Sequence, residues 1–317
     1  MKINMSTPTT NHIDAVILWV DGNDPLHREK MLPYISEEVD PTKENFRTRF
    51  DQVDEIKFTV KSLLKYAPYL RNIFLITDNQ TPQFLKKADT QNTYKKVKII
   101  DHTIIFKGHE EVLPIFCSRS IETCIHRIPN LAEHFIYLND DFFLINPTQP
   151  SDFFKNGLPV LRGKWLNFDE NIFYKKFKKQ RLGHKTAKQR AAKLAGHKKY
   201  FNFKHTPHPI RKSTLEKYFE EHKDVFLENI HYRFRDNKFQ FLTQGLANHL
   251  EIKNGTCHLE SDLRLVYLRS YKKSLAWLDK KFNSISSKKL FLGLQSLDRC
   301  PKEKLDFLIN WLSRRVS

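Results

Sequence analysis

Residues 132–146 read Ala-Glu-His-Phe-Ile-Tyr-Leu-Asn-Asp-Asp-Phe-Phe-Leu-Ile-Asn. The apolar run Phe135 to Leu138 predicts a buried strand, which stops at Asn139, Asp140 and Asp141 before a second apolar run, Phe142 to Ile145. Adjacent carboxylates between buried strands are costly to desolvate unless a cation sits on them: Arg, Lys or an oxygen-liganded divalent metal. At the carboxyl end of a strand in an α/β sheet, such a pair lies where ligands bind. A plain turn also favours Asn and Asp. Strict alternation sends Asp140 and Asp141 to opposite faces, so both can serve one metal only if the chain bends there.

Working outward, the same pattern recurs. Ile13 to Val20 is a strand-like run that enters the turn Asp21-Gly22-Asn23-Asp24-Pro25. Asn72 to Thr77 is a second run, ending in Asp78-Asn79-Gln80, and Val97 to Ile100 a third, ending in Asp101-His102. Between them, Ile56, Val60, Leu63 and Leu64 have helical spacing, as do Ile121, Ile125 and Ile128. Strands alternating with helices predict an α/β fold with a mainly parallel sheet flanked by helices. The acidic or amide strand ends then share one edge.

The chain has 317 residues and a net charge of +18. That charge predicts polyanionic company: nucleic acid, an anionic membrane surface or a phosphate-bearing substrate. Lys175, Lys176, Lys178, Lys179, Arg181, Lys185, Lys188, Arg190, Lys193, Lys198, Lys199 and Lys204 crowd residues 171–204 with no acid after Asn171 and with aromatics interleaved. We read one catalytic domain, 1–317, carrying a basic helical insertion at 171–204 that is either solvated and mobile or binds an anion. His205 and His208 follow it, in a segment stiffened by Pro207 and Pro209. In Tyr232-Arg233-Phe234-Arg235, alternation puts both guanidinium groups on one face of an extended segment, suited to a diphosphate. Arg28, Arg47 and Arg49 are further candidate anion contacts. Ser213 to Phe226 reads as one helix with a Ser N-cap. Cys117, Cys124, Cys257 and Cys300 lack zinc or redox spacing. The polar N-terminus has no apolar signal core, and no run approaches the roughly 18–20 apolar residues of a membrane span. The expected location is cytoplasmic, with any contact to an anionic membrane peripheral, at its inner face.

Several segments together resemble the Stealth family of sugar-1-phosphate transferases, which includes bacterial capsule polymerases and the lysosomal-enzyme N-acetylglucosamine-1-phosphotransferase. The first conserved region resembles Ile13 through Pro25, including Trp19. The second resembles Arg49 through Pro147, with Asp78, Asn79, Ser118, Glu122 and Asn139 inside its motifs. The third resembles His205-Thr206-Pro207-His208 followed by Arg233-Phe234-Arg235. A fourth, near 290–312, is faint. The chain departs from the family at Asp51-Gln52, at Cys117 and around Asp298. The resemblance implies a glycosyltransferase-A-like core, a need for Mg²⁺ or Mn²⁺, and transfer of a hexose-1-phosphate from a UDP-sugar to a saccharide hydroxyl. The product is a phosphodiester and UMP leaves, in capsule or exopolysaccharide synthesis, with an N-acetylhexosamine the expected sugar.

On that basis Asp140 and Asp141 are expected to hold the metal, and Arg233 and Arg235 to clamp the diphosphate. The acceptor proton is expected to go to Asp21 or Asp24, or to His205 or His208. Trp19, Arg49, Asp78, Asn79, Ser118, Glu122 and Asn139 are expected to bind substrate. An ordinary metal-dependent glycosyltransferase, releasing UDP, is the alternative enzyme. A nucleic-acid-binding protein is disfavoured, because acidic strand ends repel a phosphate backbone.

Overall fold

The computed structural model describes residues 12–36, 42, 44–47, 50–87, 91–173 and 182–317. Arg49 and the basic residues 175–181 lie outside them. In chain order the strands are β1 (Ile13–Leu18), β2 (Leu70–Thr77), β3 (Val97–Asp101), β4 (His134–Asn139), β5 (Phe142–Leu144), β6 (Phe154–Lys155), β7 (Leu158–Arg162), β8 (Lys164–Leu166), β9 (Tyr200–Asn202), β10 (His208–Arg211), β11 (His258–Glu260), β12 (Leu265–Leu268) and β13 (Phe291–Leu294). The helices are α1 (Pro25–Met31), α2 (Glu44–Arg47), α3 (Glu55–Tyr66), α4 (His102–Ile105), α5 (Ser118–Thr123), α6 (His184–Leu194), α7 (Lys212–Glu221), α8 (Lys223–Ile230), α9 (Thr243–Asn254), α10 (Leu275–Asn283) and α11 (Lys302–Val316).

The central sheet has the order β10-β4-β1-β2-β3. The pairs β4–β1, β1–β2 and β2–β3 are parallel, and β10 runs antiparallel along β4. The α/β, mainly parallel expectation therefore holds. Both faces are covered, which is why these strands are continuous apolar runs rather than alternating ones. Val16, Phe74, Ile76, Phe135 and Tyr137 pack on one side with Ile121, Leu215, Ile230 and Leu246. Ala15, Ile17, Ile73, Leu75, Ile136 and Leu138 pack on the other with Ile56, Val60 and Leu63 of α3. Asp14 ties the sheet together at its amino end. Its oxygens accept from Arg71 Nε at 3.0 Å and Nη2 at 2.6 Å, and from the backbone N–H of Asn72 and Ala132. A fully buried carboxylate is tolerable there because its charge is paired and it accepts several hydrogen bonds.

A second sheet, β12-β13-β5, carries its own core around Phe143, Leu278, Leu292 and Trp311. The chain bends between β4 and β5, and Asp140 and Asp141 occupy that bend.

The basic stretch divides. Helix α6 is no solvated appendage: Ala187, Ala191 and Ala192 are fully buried and Lys188 is 6% exposed. The antiparallel pair β8–β9 brackets it. The helix expected over 213–226 is two, α7 and α8, broken at His222, whose φ of −131° is not helical. Ser213 does not cap it; its hydroxyl and N–H are both spent on Glu133. Among the described residues no helix is long and apolar enough to cross a membrane.

Candidate active site

The carboxyl ends of β1, β2 and β4 and the amino end of the antiparallel β10 meet at one edge. They border a cavity of about 460 Å³. Its wall includes Trp19 after β1, Asp78 after β2, Asn139, Asp140 and Asp141 at the bend, and His205 and His208 around the start of β10. Ser118, Arg119 and Glu122 of α5 and Arg235 complete it, with Asp298 arriving after β13. Gly22 seats the adjoining loop. Its N–H donates to Phe50 O at 2.9 Å, and any Cβ there would lie 2.4 Å from Phe50 Cβ.

One part of the wall is a cluster of buried acids. Burial, then the neighbouring Asp141, pushes the Asp140 carboxyl up to about 7. Burial, then Glu55, does the same for Asp141. Glu55, only 6% exposed at the start of α3, is pushed up to about 8 by burial and then by Asp140. Asp141 Oδ1 is buried with no hydrogen-bond partner. Such a group of carboxylates keeps its protons unless a cation enters. Among the described residues no three His, Cys, Asp or Glu side chains form a preformed metal cage. Mg²⁺ does not require one: it usually takes one or two carboxylates and completes its shell with water and substrate phosphate. Hard oxygen donors and an orphaned carboxylate oxygen fit Mg²⁺ or Mn²⁺.

Another part is positive. Arg119 is 2% exposed and donates to Asp236 O at 2.7 Å and Asn237 Oδ1 at 3.2 Å. Burial, then the nearby Arg235, lowers its guanidinium to about 10. Arg235 donates to Ser118 Oγ at 3.3 Å. Glu122, fully enclosed, accepts from Tyr137 OH at 2.8 Å, and burial raises it to about 7.

Burial favours the neutral form of His205 and His208. Burial, then Lys188, lowers His205 to about 4 and His208 to about 3. His205 lies 4.3 Å, centroid to centroid, from His184 of α6 and is stacked near Phe142 and Tyr267.

Other expected site residues lie elsewhere. Asp24 caps α1: Oδ1 accepts from Leu26 N–H at 3.0 Å and Oδ2 from Gln80 at 2.9 Å, and the Gln80 bond leads in lowering its pKa. Asp21 Oδ1 closes the turn onto Asn23 N–H. Neither borders the cavity, so both carboxylates serve the turn after β1. Asn79 is exposed in a left-handed turn, φ 52°, with its N–H on Asp101. Arg233 is the main correction. Its guanidinium donates to Glu111 O and Leu113 O and lies over the Tyr34 ring at 4.7 Å, off the cavity wall. Residues 231–240 bend rather than extend, so alternation does not bring Arg233 and Arg235 to one face. Arg119, two positions into α5, stands beside Arg235 instead. Glu55, at the start of α3, and His184, at the start of α6, also border the cavity, and no motif in the sequence marks either. For Asp298 the faint fourth region was the one signal.

Residues 11–38 match Stealth protein CR1, conserved region 1, and residues 49–161 match Stealth protein CR2, conserved region 2. The receptor polysaccharide phosphotransferase WefC of Streptococcus gordonii is 33% identical over 251 residues, 70% of this chain and 73% of that protein. The chain belongs to the Stealth family. Another similar protein is the capsular polysaccharide phosphotransferase fcs1 of Haemophilus influenzae, 35% identical over 240 residues, 73% of this chain. The match spans 62% of that relative's length, and 52% of an exopolysaccharide phosphotransferase from Nocardia farcinica. Among solved structures, this Stealth chain is similar to the galactosyltransferase LgtC with donor and acceptor sugar analogues: TM-score 0.47, 10% identity, 95% of each chain covered.

Proposed function

We propose that the protein transfers a hexose-1-phosphate from a UDP-sugar to a saccharide hydroxyl, forming a phosphodiester and releasing UMP, in capsular or exopolysaccharide synthesis. The observation that carries this is the pairing of a buried acid cluster with two arginines on one wall. Glu55, Asp140 and Asp141 want a cation, and Arg119 and Arg235 want an anion. A metal-bound pyrophosphate satisfies both.

The acceptor oxygen attacks the phosphorus that bears the sugar. The bond from that phosphorus to the bridging oxygen breaks, and UMP departs. Transfer of this kind depends on positioning and on neutralising charge on the phosphoryl oxygens. Arg235 and Arg119 bind the pyrophosphate from the positive side. Asp140 and Asp141, supported by Glu55, would hold Mg²⁺ or Mn²⁺, which supplies Lewis-acid neutralisation of the phosphates. His205 or His208 takes the acceptor proton; burial favours the neutral form of both, which is able to accept it. Ser118 and Glu122 bind substrate beside Arg235. Residues 1–317 act as one catalytic unit with 171–204 set within it. The charge of +18 supports peripheral contact with an anionic membrane from the cytoplasmic side.

The deciding experiment identifies the nucleotide formed from UDP-N-acetylhexosamine and related UDP-sugars. UMP supports phosphotransfer. UDP would mean cleavage at the sugar C1–O bond and an ordinary glycosyl transfer.

A further inference from the structure

The basic segment reaches into the cavity at the start of α6. His184 is the first residue of that helix, and it borders the cavity together with His205. The two imidazole rings lie 4.3 Å apart, centroid to centroid, and are tilted by 31°. The His205 ring is also close to parallel with Tyr267, at 5.8 Å and 25°, and with Phe142, at 6.2 Å and 28°. Rings from three separate parts of the chain thus lie alongside His205, and His184 is the nearest of them.

The fold fixes where His184 stands. Gly183 N–H donates to Thr186 Oγ1 at 2.9 Å, and that hydroxyl donates back to Gly183 O at 2.9 Å, which closes the first turn. Ala187, Ala191 and Ala192 are fully buried, and α9 packs so closely that a Cβ on Gly245 would lie 3.3 Å from Ala191 Cβ. Arg190 donates to Asn237 O at 3.1 Å and Gln240 O at 3.0 Å. It thereby ties α6 to the turn that also receives Arg119. An imidazole in an open cavity rotates about two side-chain bonds, yet a general base works only when its lone pair is aimed at the proton. A stacked neighbouring ring resists that rotation.

We infer that His184 is a positioning residue: its ring stacks on His205 and holds that imidazole in line to take the acceptor proton. Granted transfer of that proton to a histidine, on which this depends, His205 rather than His208 receives it. Helix α6 of the basic segment is then part of the active site. The flat face of His184 matters, not its nitrogens, since burial and then His205 disfavour a proton on His184 itself. The charged and titratable groups around His205 are Lys188 of α6, Arg269 after β12, the adjacent Lys204, His184 and Tyr267. Burial, then the three cations, opposes a proton on His205. Removing the His184 ring admits water, so the His205 pKa should rise from about 4 toward the ordinary 6.5.

The test compares His184→Phe, which keeps a flat ring, with His184→Ala, which removes it. Both are measured in steady-state kinetics and by NMR titration of the histidine rings in the whole protein, with His205 assigned from His205→Gln. His184→Phe is expected to stay within about threefold of wild type in kcat. His184→Ala is expected to lose about tenfold to a hundredfold in kcat at unchanged donor KM. The acidic limb of its pH–rate profile and the titration of His205 should both move to higher pH. A merely structural role would lower the folded fraction and leave both midpoints in place. Should His184→Ala fail to fold, His184→Leu fills the space without a flat face and is expected to show the same losses. Wild-type kcat in His184→Ala, equal impairment in His184→Phe, an unmoved His205 titration or full turnover in His205→Gln each overturns the assignment. The titration needs no turnover: a shifted His205 with UDP as the released nucleotide removes phosphotransfer and leaves the positioning, and UMP release with an unshifted His205 does the reverse.

Discussion

Replacing Asp141 by Asn should make the protein more stable and inactive at once. The Asp141 carboxyl is held from its usual 3.8 up to about 7, by burial and then by Glu55. The folded state therefore keeps the proton to a higher pH than the unfolded chain does. Stability is full below about pH 4 and falls as pH climbs through 7. Ionising the group at pH 8 costs about 4 kcal/mol. The isosteric amide never ionises, but its new N–H donors need partners, at about 1–2 kcal/mol. The net gain expected at pH 8 is about 2 kcal/mol, or roughly 4 °C in melting temperature. The backbone bond from Leu294 N–H to Asp141 O, 3.1 Å, survives the change. The assay is thermal unfolding in EDTA at pH 5 and pH 8, repeated with millimolar Mg²⁺. The variant should exceed wild type at pH 8 and less so at pH 5, and Mg²⁺ should raise wild type more than the variant. A variant no more stable than wild type at pH 8 in EDTA would refute the view of this bend as a strained, cation-seeking charge cluster.

Arg235→Ala should lower kcat/KM by about 10²–10³, the usual loss of a transition-state charge contact; Arg233→Ala, whose guanidinium holds the carbonyls of 111 and 113, should cost far less, read in steady-state kinetics with both variants. Asp24→Ala should lose an N-cap worth about 1 kcal/mol while turnover per folded molecule stays near wild type, checked by urea unfolding and single-turnover assays. His205 and His208 are depressed in the fold to about 4 and about 3, so their contribution to stability is present above about pH 6.5 and lost as pH falls toward 3. Stability of His208→Gln should accordingly be less pH-dependent than wild type between pH 6.5 and 4, measured by denaturant midpoints across that range. Of His205→Gln and His208→Gln, the one that removes the proton acceptor should abolish the acidic limb of the pH–rate profile. Both retaining near wild-type turnover would exclude the pair.

The central sheet was legible because its strands are buried on both faces and so are written as unbroken apolar runs ending in polar turns. The carboxylate pair at the bend was legible for the same reason: two acids stand directly between two such runs. What sequence could not supply was contact across distance. Glu55 carries the marks of an ordinary first-turn acid, and only the packing of α3 against the β4–β5 bend sets it beside Asp140 and Asp141. The Arg233–Arg235 pair failed because alternation holds only for extended backbone, and residues 231–240 turn. Ser213 looked like a cap because it precedes a helical pattern, yet Glu133, eighty positions earlier, takes both its hydrogen bonds. Asp24 was misread in the opposite sense: a strand followed by an acidic turn resembles a site, and here the acid serves the helix that follows.

The antiparallel partner of β4 has one more bearing on the molecule. Strand β10 closes the flank of β4 that β1 leaves open, and it is made after more than two hundred residues have emerged from the ribosome. Until then β4 presents a bare row of amides and carbonyls, the kind of edge that recruits foreign strands. A chain stopped short of His208 would thus leave the flank of β4 unpaired and be prone to clump.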